Sequence, residues 1–272
     1  LDRTSLSVRV ESAGPERPWI VICNAVGVPH AVFDRLVGTL AGAFSVVCWQ
    51  TSLTEGDEPH GTPRFLTVDE QTAEVAGILH RLRITEFTGV SWCSGTEILY
   101  RLSRDEAFRV HGHCCVNGAF NLGADGPSSD WENTVEPLFH VLSTRPETVQ
   151  GVSAMLNSAA TAATEGGDPA LQFPYSTPER LVGYAAQCLA MKRGRTLHGF
   201  VESEHTGLYL AGSKDAVQAP AISERAAELS GAGFERVEGG DHAMMAGMQR
   251  VCDRVRRYCE LVVARPVPGG RR

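Results

Sequence analysis

The sequence predicts an α/β fold in which a mostly parallel central sheet is flanked by helices and interrupted by an inserted helical cap. Three features predict it. Short continuous apolar runs mark strands buried on both faces. These runs alternate with segments of helical periodicity, the pattern of a parallel sheet covered on both sides. From about residue 121 to 202 the strand rhythm stops and only helical patterns remain.

The first run, Trp19-Ile20-Val21-Ile22-Cys23-Asn24, ends in the loop Ala25-Val26-Gly27-Val28-Pro29, and a helical pattern follows from Ala31 to Leu40. Phe44 to Trp49 is the second run. After a Gly/Pro-rich polar loop (55–63), Thr67-Val68-Asp69-Glu70 opens a helix with a capping-box start and an apolar stripe through Val75, Ile78, Leu79 and Leu82. Glu86 to Trp92 is a strand that runs into a sharp turn. The turn leads directly into a helix from Thr96 to Arg104, and Val110 to Asn117 forms another strand. The cap contributes helical patterns at Val135–Leu142, Val149–Leu156 and Pro178–Met191. Strand character resumes at Gly207–Gly212 and Phe234–Val237, separated by a helix from Ala221 to Leu229, and an amphipathic helix from about Ala246 to Val263 closes the chain. Residues 1–120 and 203–265 are thus expected to form the two parts of one core, 121–202 the cap, and 266–272 a frayed tail.

The chain has 272 residues, enough for one sizeable core with an insertion. A net charge of -7 excludes a general affinity for nucleic acid or anionic membrane, because no basic excess exists to neutralise phosphates. No apolar run approaches bilayer length. Leu1-Asp2-Arg3-Thr4 has no initiator Met and does not read as a signal peptide, so the natural start is expected to be missing or processed. The eight cysteines sit mostly in apolar runs, where cysteine behaves as a small buried hydrophobe, and a reduced cytoplasmic protein is the expectation. In His111-Gly112-His113-Cys114-Cys115, strand alternation puts His111, His113 and Cys115 on one face, and core packing is favoured over a metal site.

The chemistry concentrates in Ser91-Trp92-Cys93-Ser94-Gly95. A nucleophile on a strained strand-to-helix turn needs small residues two before and two after it. Ser91 and Gly95 meet that need if Cys93 is the nucleophile. A second register places Ser91 at the apex between Gly89 and Cys93, with Cys where Gly suits the turn better. At a helix N-terminus the dipole would favour a Cys93 thiolate.

Two later segments supply partners: Gly212-Ser213-Lys214-Asp215 with Pro220, and Gly239-Gly240-Asp241-His242. Nucleophile, then acid, then a late histidine is the order of the α/β-hydrolase fold, and these segments resemble its acid and histidine loops. The spacing from the turn to the next strand in that family also fits Cys93 better than Ser91. The resemblance implies that His242 takes the thiol proton, that Asp215 orients the imidazole, and that the backbone N–H groups of Ser94 and of Val26 or Ala25 receive the oxyanion. Asp241 is a second carboxylate beside His242. Asn24-Ala25 stands where the family usually has His-Gly.

Trp-Cys-Ser-Gly at this turn is similar to the carrier-protein aminoacyltransferases of nonribosomal peptide pathways, of the coronamic acid and syringomycin type. That resemblance implies transfer of an aminoacyl group between phosphopantetheine thioesters of carrier proteins through a Cys93 thioester, with no bound cofactor and no metal. Lys192, Arg193 and Arg195 form a candidate docking surface for an acidic carrier. Trp92, Asp130 and Trp131 are candidate pocket residues, and Phe139, Phe173, Tyr175 and Tyr184 are aromatic residues of the cap. Rival readings are a thioesterase, a dienelactone-type lactone hydrolase with the same residues, and a non-catalytic binding module.

Overall fold

The structure, a computed structural model, describes residues 6–51, 67–123, 126–163, 172–193 and 206–265. The loop 55–63, Arg195 and the tail 266–272 lie outside them.

Among the described residues the strands form one seven-stranded sheet, ordered β1-β3-β2-β4-β5-β6-β7. They are β1 (Leu6–Glu11), β2 (Trp19–Cys23), β3 (Ser45–Thr51), β4 (Glu86–Trp92), β5 (Arg109–Val116), β6 (Thr206–Gly212) and β7 (Gly233–Val237). Every neighbouring pair is parallel except β1 with β3. The antiparallel β1 is an addition to the expected order. Its signal is the alternation of Leu6, Val8 and Val10 with Ser7, Arg9 and Glu11. As an edge strand it leaves Val8 and Val10 exposed.

On one face of the sheet, α2 (Val68–Arg81), α3 (Gly95–Arg104) and α7 (Pro220–Ser230) pack Val75, Leu79, Leu99 and Ala226 against Val21, Val47 and Phe87. On the other, α1 (Asp34–Leu40), α8 (Met244–Gly247) and α9 (Gln249–Val263) bring Leu36, Met244 and Val255 against Ile20, Ile22 and Val90. Both faces of β2 and β4 are covered, which is why their sequences are unbroken apolar runs rather than alternating ones. The capping box at Thr67 is formed: its hydroxyl accepts the Glu70 N–H at 3.2 Å, and the Glu70 carboxylate accepts the Thr67 N–H at 2.8 Å. Such a cap contributes about 1 kcal/mol.

Between β5 and β6 the chain forms α4 (Asp130–Thr144), α5 (Val149–Ala163) and α6 (Pro178–Lys192). They share an apolar cluster of their own, including Val135, Phe139, Leu142, Val152, Leu181 and Leu189. A buried Gln71–Gln187 hydrogen bond of 3.3 Å joins this unit to α2, and the Ser129 hydroxyl donates to the Val217 carbonyl at 2.7 Å.

The expected sharing of a face by His111, His113 and Cys115 is corrected. The β4–β5 register slips between Phe87 and Thr88, which breaks the alternation at His111. His111 bonds Glu86 at 3.1 Å, and His113 lies 3.3 Å from the Tyr209 hydroxyl. All eight cysteines are free thiols. Burial pushes Cys252 up to about 11 and Cys48, Cys115 and Cys259 up to about 12, so these thiols stay protonated near neutral pH. No helix among the described residues is long and apolar enough to cross a membrane.

Candidate active site

Five segments converge at the carboxyl ends of β2, β4, β5, β6 and β7, the edge at which open parallel sheets place ligand sites. At the end of β4, Cys93 has φ 48°, in the left-handed region that a non-glycine residue rarely adopts. Hydrogen bonds over-determine it. Its N–H donates to the Val116 carbonyl at 3.2 Å, and its carbonyl accepts the Thr96 and Ala119 N–H groups at 3.2 and 3.1 Å. Gly95 is small for a measurable reason: a Cβ there would stand 2.1 Å from the Cys23 carbonyl oxygen. Ser91 is fully buried, and its hydroxyl lies 3.0 Å from that of Thr96. The strained position therefore falls on Cys93, which is partly accessible, while Ser91 faces the core.

Asp215 follows β6 in a tight loop. Its Oδ1 accepts the Val217 and Gln218 N–H groups at 2.8 and 2.9 Å, and its Oδ2 lies 2.9 Å from His242 Nδ1. The carboxylate is fully enclosed, so both oxygens are satisfied by protein donors. Cys93 lies close enough to the His242 ring to act on it electrostatically. Burial alone would lower the affinity of His242 for its proton. The Asp215 carboxylate and the Cys93 sulfur together outweigh burial and hold the imidazolium up to about 10. Asp241, the other carboxylate considered, is exposed, and its carbonyl serves as an acceptor.

Two residues fix the histidine loop. Asn117, fully buried at the end of β5 with φ 46°, donates through Nδ2 to the Asp241 and His242 carbonyls at 2.9 and 3.2 Å. Its Oδ1 accepts the Gly212 N–H at 2.9 Å, so one amide ties the acid strand to the histidine loop. Sequence reasoning did not single out Asn117. The available signal was an Asn ending an apolar strand, a residue type enriched in the left-handed region. Trp92 is the second, and its expected place in a pocket is corrected. It is 1% exposed, lies against His242 with the rings tilted by 38° and their centroids 5.3 Å apart, and donates from Nε1 to the His242 carbonyl at 3.0 Å.

The other two pocket expectations change as well. Asp130 is exposed in the first turn of α4, where a carboxylate complements the helix dipole. Trp131 packs edge-on to Phe139 in the apolar cluster of the cap, centroids 6.0 Å apart. The cap residues that do reach toward Cys93 are Tyr175, Tyr184 and Cys188. Burial above all raises the three, Cys93 is among the groups near enough to add to it, and each is partly accessible. Two surface depressions of about 770 and 410 Å³ lie elsewhere, the first beside Arg35 and Arg256, the second beside Leu122 and Arg225.

The loop after β2 carries the expected oxyanion donors. Asn24 fastens it, donating to the Val28 and Trp49 carbonyls at 2.6 and 3.2 Å, and Gly27 turns it with φ 71°. Ala25 accepts the Val28 N–H at 3.4 Å. The Val26 N–H points toward Cys93's neighbour and is taken by the Ser94 hydroxyl at 3.0 Å. Lys192, from the expected docking cluster, is ion-paired with Glu132 at 3.4 Å and with Glu136, and Arg193 beside it is exposed.

No family model and no curated protein matches the chain in sequence. Solved structures do match in shape. An esterase from Thermogutta terrifontis is 16% identical with a TM-score of 0.69, covering 94% of this chain and 93% of its own. The enol-lactonase from Burkholderia xenovorans LB400 is 17% identical with a TM-score of 0.68, covering 96% of both chains. A hydrolase from Oleispira antarctica is 13% identical with a TM-score of 0.72, covering 93% of this chain and 94% of its own. Together with the sheet order and the helices on both faces, these likenesses establish that the chain has the α/β-hydrolase fold.

Proposed function

We propose that the protein is an acyl-transfer enzyme that carries its substrate as a Cys93 thioester, with His242 as proton carrier and Asp215 as its orienting carboxylate. The observation that carries this reading is the meeting at one sheet edge of the strained Cys93 and of His242, whose ring bonds the enclosed Asp215 at 2.9 Å. The thiolate attacks a thioester carbonyl, and the tetrahedral intermediate collapses as His242 gives its proton to the departing thiolate. An incoming thiol then loses its proton to His242 and takes the acyl group from Cys93.

A cysteine suits this exchange. Its acyl-enzyme is itself a thioester, so passage to another thiol is nearly isoenergetic and reversible, whereas a serine ester would favour release to water. Donor and acceptor are proposed to be phosphopantetheine thiols of carrier proteins, the group an aminoacyl one, and the docking face the end of the cap near Lys192, Arg193 and Arg195. Tyr175, Tyr184 and Cys188 would wall the acyl group. A second reading, hydrolysis of a thioester or lactone, is favoured by neighbours described as an esterase and an enol-lactonase.

Intact mass spectrometry separates the readings. Carrier proteins loaded with a panel of amino acids are mixed with the wild type, Cys93→Ala and Ser91→Ala, and an unloaded carrier is then added. Transfer gives an adduct on the wild type and on Ser91→Ala but not on Cys93→Ala, and then an acylated acceptor. Free amino acid with no acylated acceptor would establish hydrolysis. An adduct that persists in Cys93→Ala and vanishes in Ser91→Ala would reject the nucleophile.

A further inference from the structure

The Val26 N–H does not stand free to meet an oxyanion, because the Ser94 hydroxyl already accepts it at 3.0 Å across a sequence separation of 68 residues. Ser94 opens α3, where a serine hydroxyl ordinarily caps the helix by accepting a backbone N–H of the first turn. Here it makes no such bond. Cys93 occupies the left-handed position, so Ser94 is already helical at φ -63° and ψ -17°, and its side chain turns across to the β2 loop instead. A hydroxyl that accepts one hydrogen bond keeps its own hydrogen to donate. Among the described residues no acceptor takes that hydrogen, and none takes the Ser94 N–H. Ser94 is partly accessible and adjoins the partly accessible Cys93, so both hydrogens are open to a group bound at that residue.

We propose that the Ser94 side chain is itself an oxyanion donor: Val26 N–H donates to Ser94 Oγ, and the Ser94 O–H, polarised by that bond, donates to the developing oxyanion beside the Ser94 N–H. The two hydrogen bonds run in one direction, so each strengthens the other. The α3 N-terminus adds its positive dipole end at the same point. Val26 thereby acts through Ser94 and is a positioning residue, while Ser94 touches the reacting atom through both its backbone and its side chain. The assignment rests on Cys93 being the nucleophile.

The test compares reactions that do and do not form an oxyanion. Pre-steady-state acylation is followed with p-nitrophenyl acetate and with acetyl-S-N-acetylcysteamine, and alkylation of Cys93 with iodoacetamide, a displacement that builds no oxyanion. The proteins are the wild type, Ser94→Ala, Ser94→Thr and Cys93→Ala. Loss of one oxyanion donor lowers the chemical step about 10²-fold. Ser94→Ala is therefore expected to acylate about 100-fold more slowly with KM within about twofold of wild type, to alkylate at the wild-type rate, and to be rescued by Ser94→Thr. Acylation by Ser94→Ala that equals or exceeds the wild-type rate would show that the hydroxyl merely plugs Val26, and would overturn the proposal. A parallel fall in alkylation would also overturn it, because the hydroxyl would then be acting on the sulfur. A wild type that alkylates but never acylates at Cys93 would reject the nucleophile itself, a failure distinct from one confined to Ser94→Ala.

Discussion

The Trp92 indole lies under the His242 imidazole, with centroids 5.3 Å apart, and its Nε1 donates to the His242 carbonyl at 3.0 Å. The residue preceding Cys93 therefore holds the loop that carries His242. Trp92→Phe keeps an aromatic body and removes the donor, at a cost of ~1 kcal/mol for one hydrogen bond. Acylation of Cys93 should slow about fivefold with the iodoacetamide rate unchanged, measured by rapid-mix kinetics. An unchanged acylation rate would show that the tilted ring contact alone places the imidazole.

Asn117 joins three loops with one buried amide. Asn117→Ala leaves the Gly212 N–H without its acceptor and puts Ala at φ 46°, a conformation that Asn adopts more readily. A buried unsatisfied donor costs about 1–3 kcal/mol. Urea unfolding should show a loss of about 2–3 kcal/mol. The His242 ring resonances should broaden as the loop loosens. A loss under about 0.5 kcal/mol would mean that a water replaces the amide.

His242 binds its proton more tightly in the folded protein, at about 10, than an ordinary imidazole at 6.5. The pairing therefore stabilises the fold fully below about pH 6.5, and that stability is lost as pH rises toward 10. Thermal midpoints of the wild type should fall across this window relative to those of Asp215→Asn, whose curve should be flatter. Cys93→Ala should lower the His242 titration midpoint seen by NMR. An unmoved midpoint would remove the sulfur from the account.

Thiol labelling should be selective. Burial pushes Cys48, Cys115, Cys252 and Cys259 up to between about 11 and 12, and it also raises Cys23, Cys114 and Cys188. Near neutral pH iodoacetamide should therefore mark Cys93 first, as read by peptide mapping. Earlier labelling of Cys188 would assign the reactive thiol to α6 instead.

Gly95→Ala places a Cβ 2.1 Å from the Cys23 carbonyl oxygen and 2.6 Å from that of Asn24, both backbone atoms. The α3 start must then move away from β2. Such a clash falls in the class of substitutions costing ~4 kcal/mol or more, so the variant should accumulate poorly or unfold at markedly lower urea. Normal stability would show that the turn can shift as a unit.

The chain alone was informative about elements because each leaves a local signature. Apolar runs gave the six parallel strands, and the Thr67–Glu70 pair gave the α2 cap that the hydrogen bonds show. The small residues around Cys93 marked a turn whose strain appears as φ 48°. β1 was missed although Leu6, Val8 and Val10 alternate, since a short edge strand half open to solvent resembles any mixed polar segment.

Cys93 on its strand-to-helix turn, an acid after β6 and a histidine after β7 were readable in sequence, because each is a local matter of residue type and spacing. Only the tertiary structure decided what meets what. The order β2-β4-β5-β6-β7 brings five strand ends to one edge, so that Asn117 reaches Gly212 and His242, Trp92 slides beneath His242, and the Ser94 hydroxyl meets the Val26 N–H. Those contacts join residues up to 150 positions apart. Periodicity is a property of neighbours in sequence, whereas hydrogen-bond partners are chosen by packing, and no local pattern records the choice.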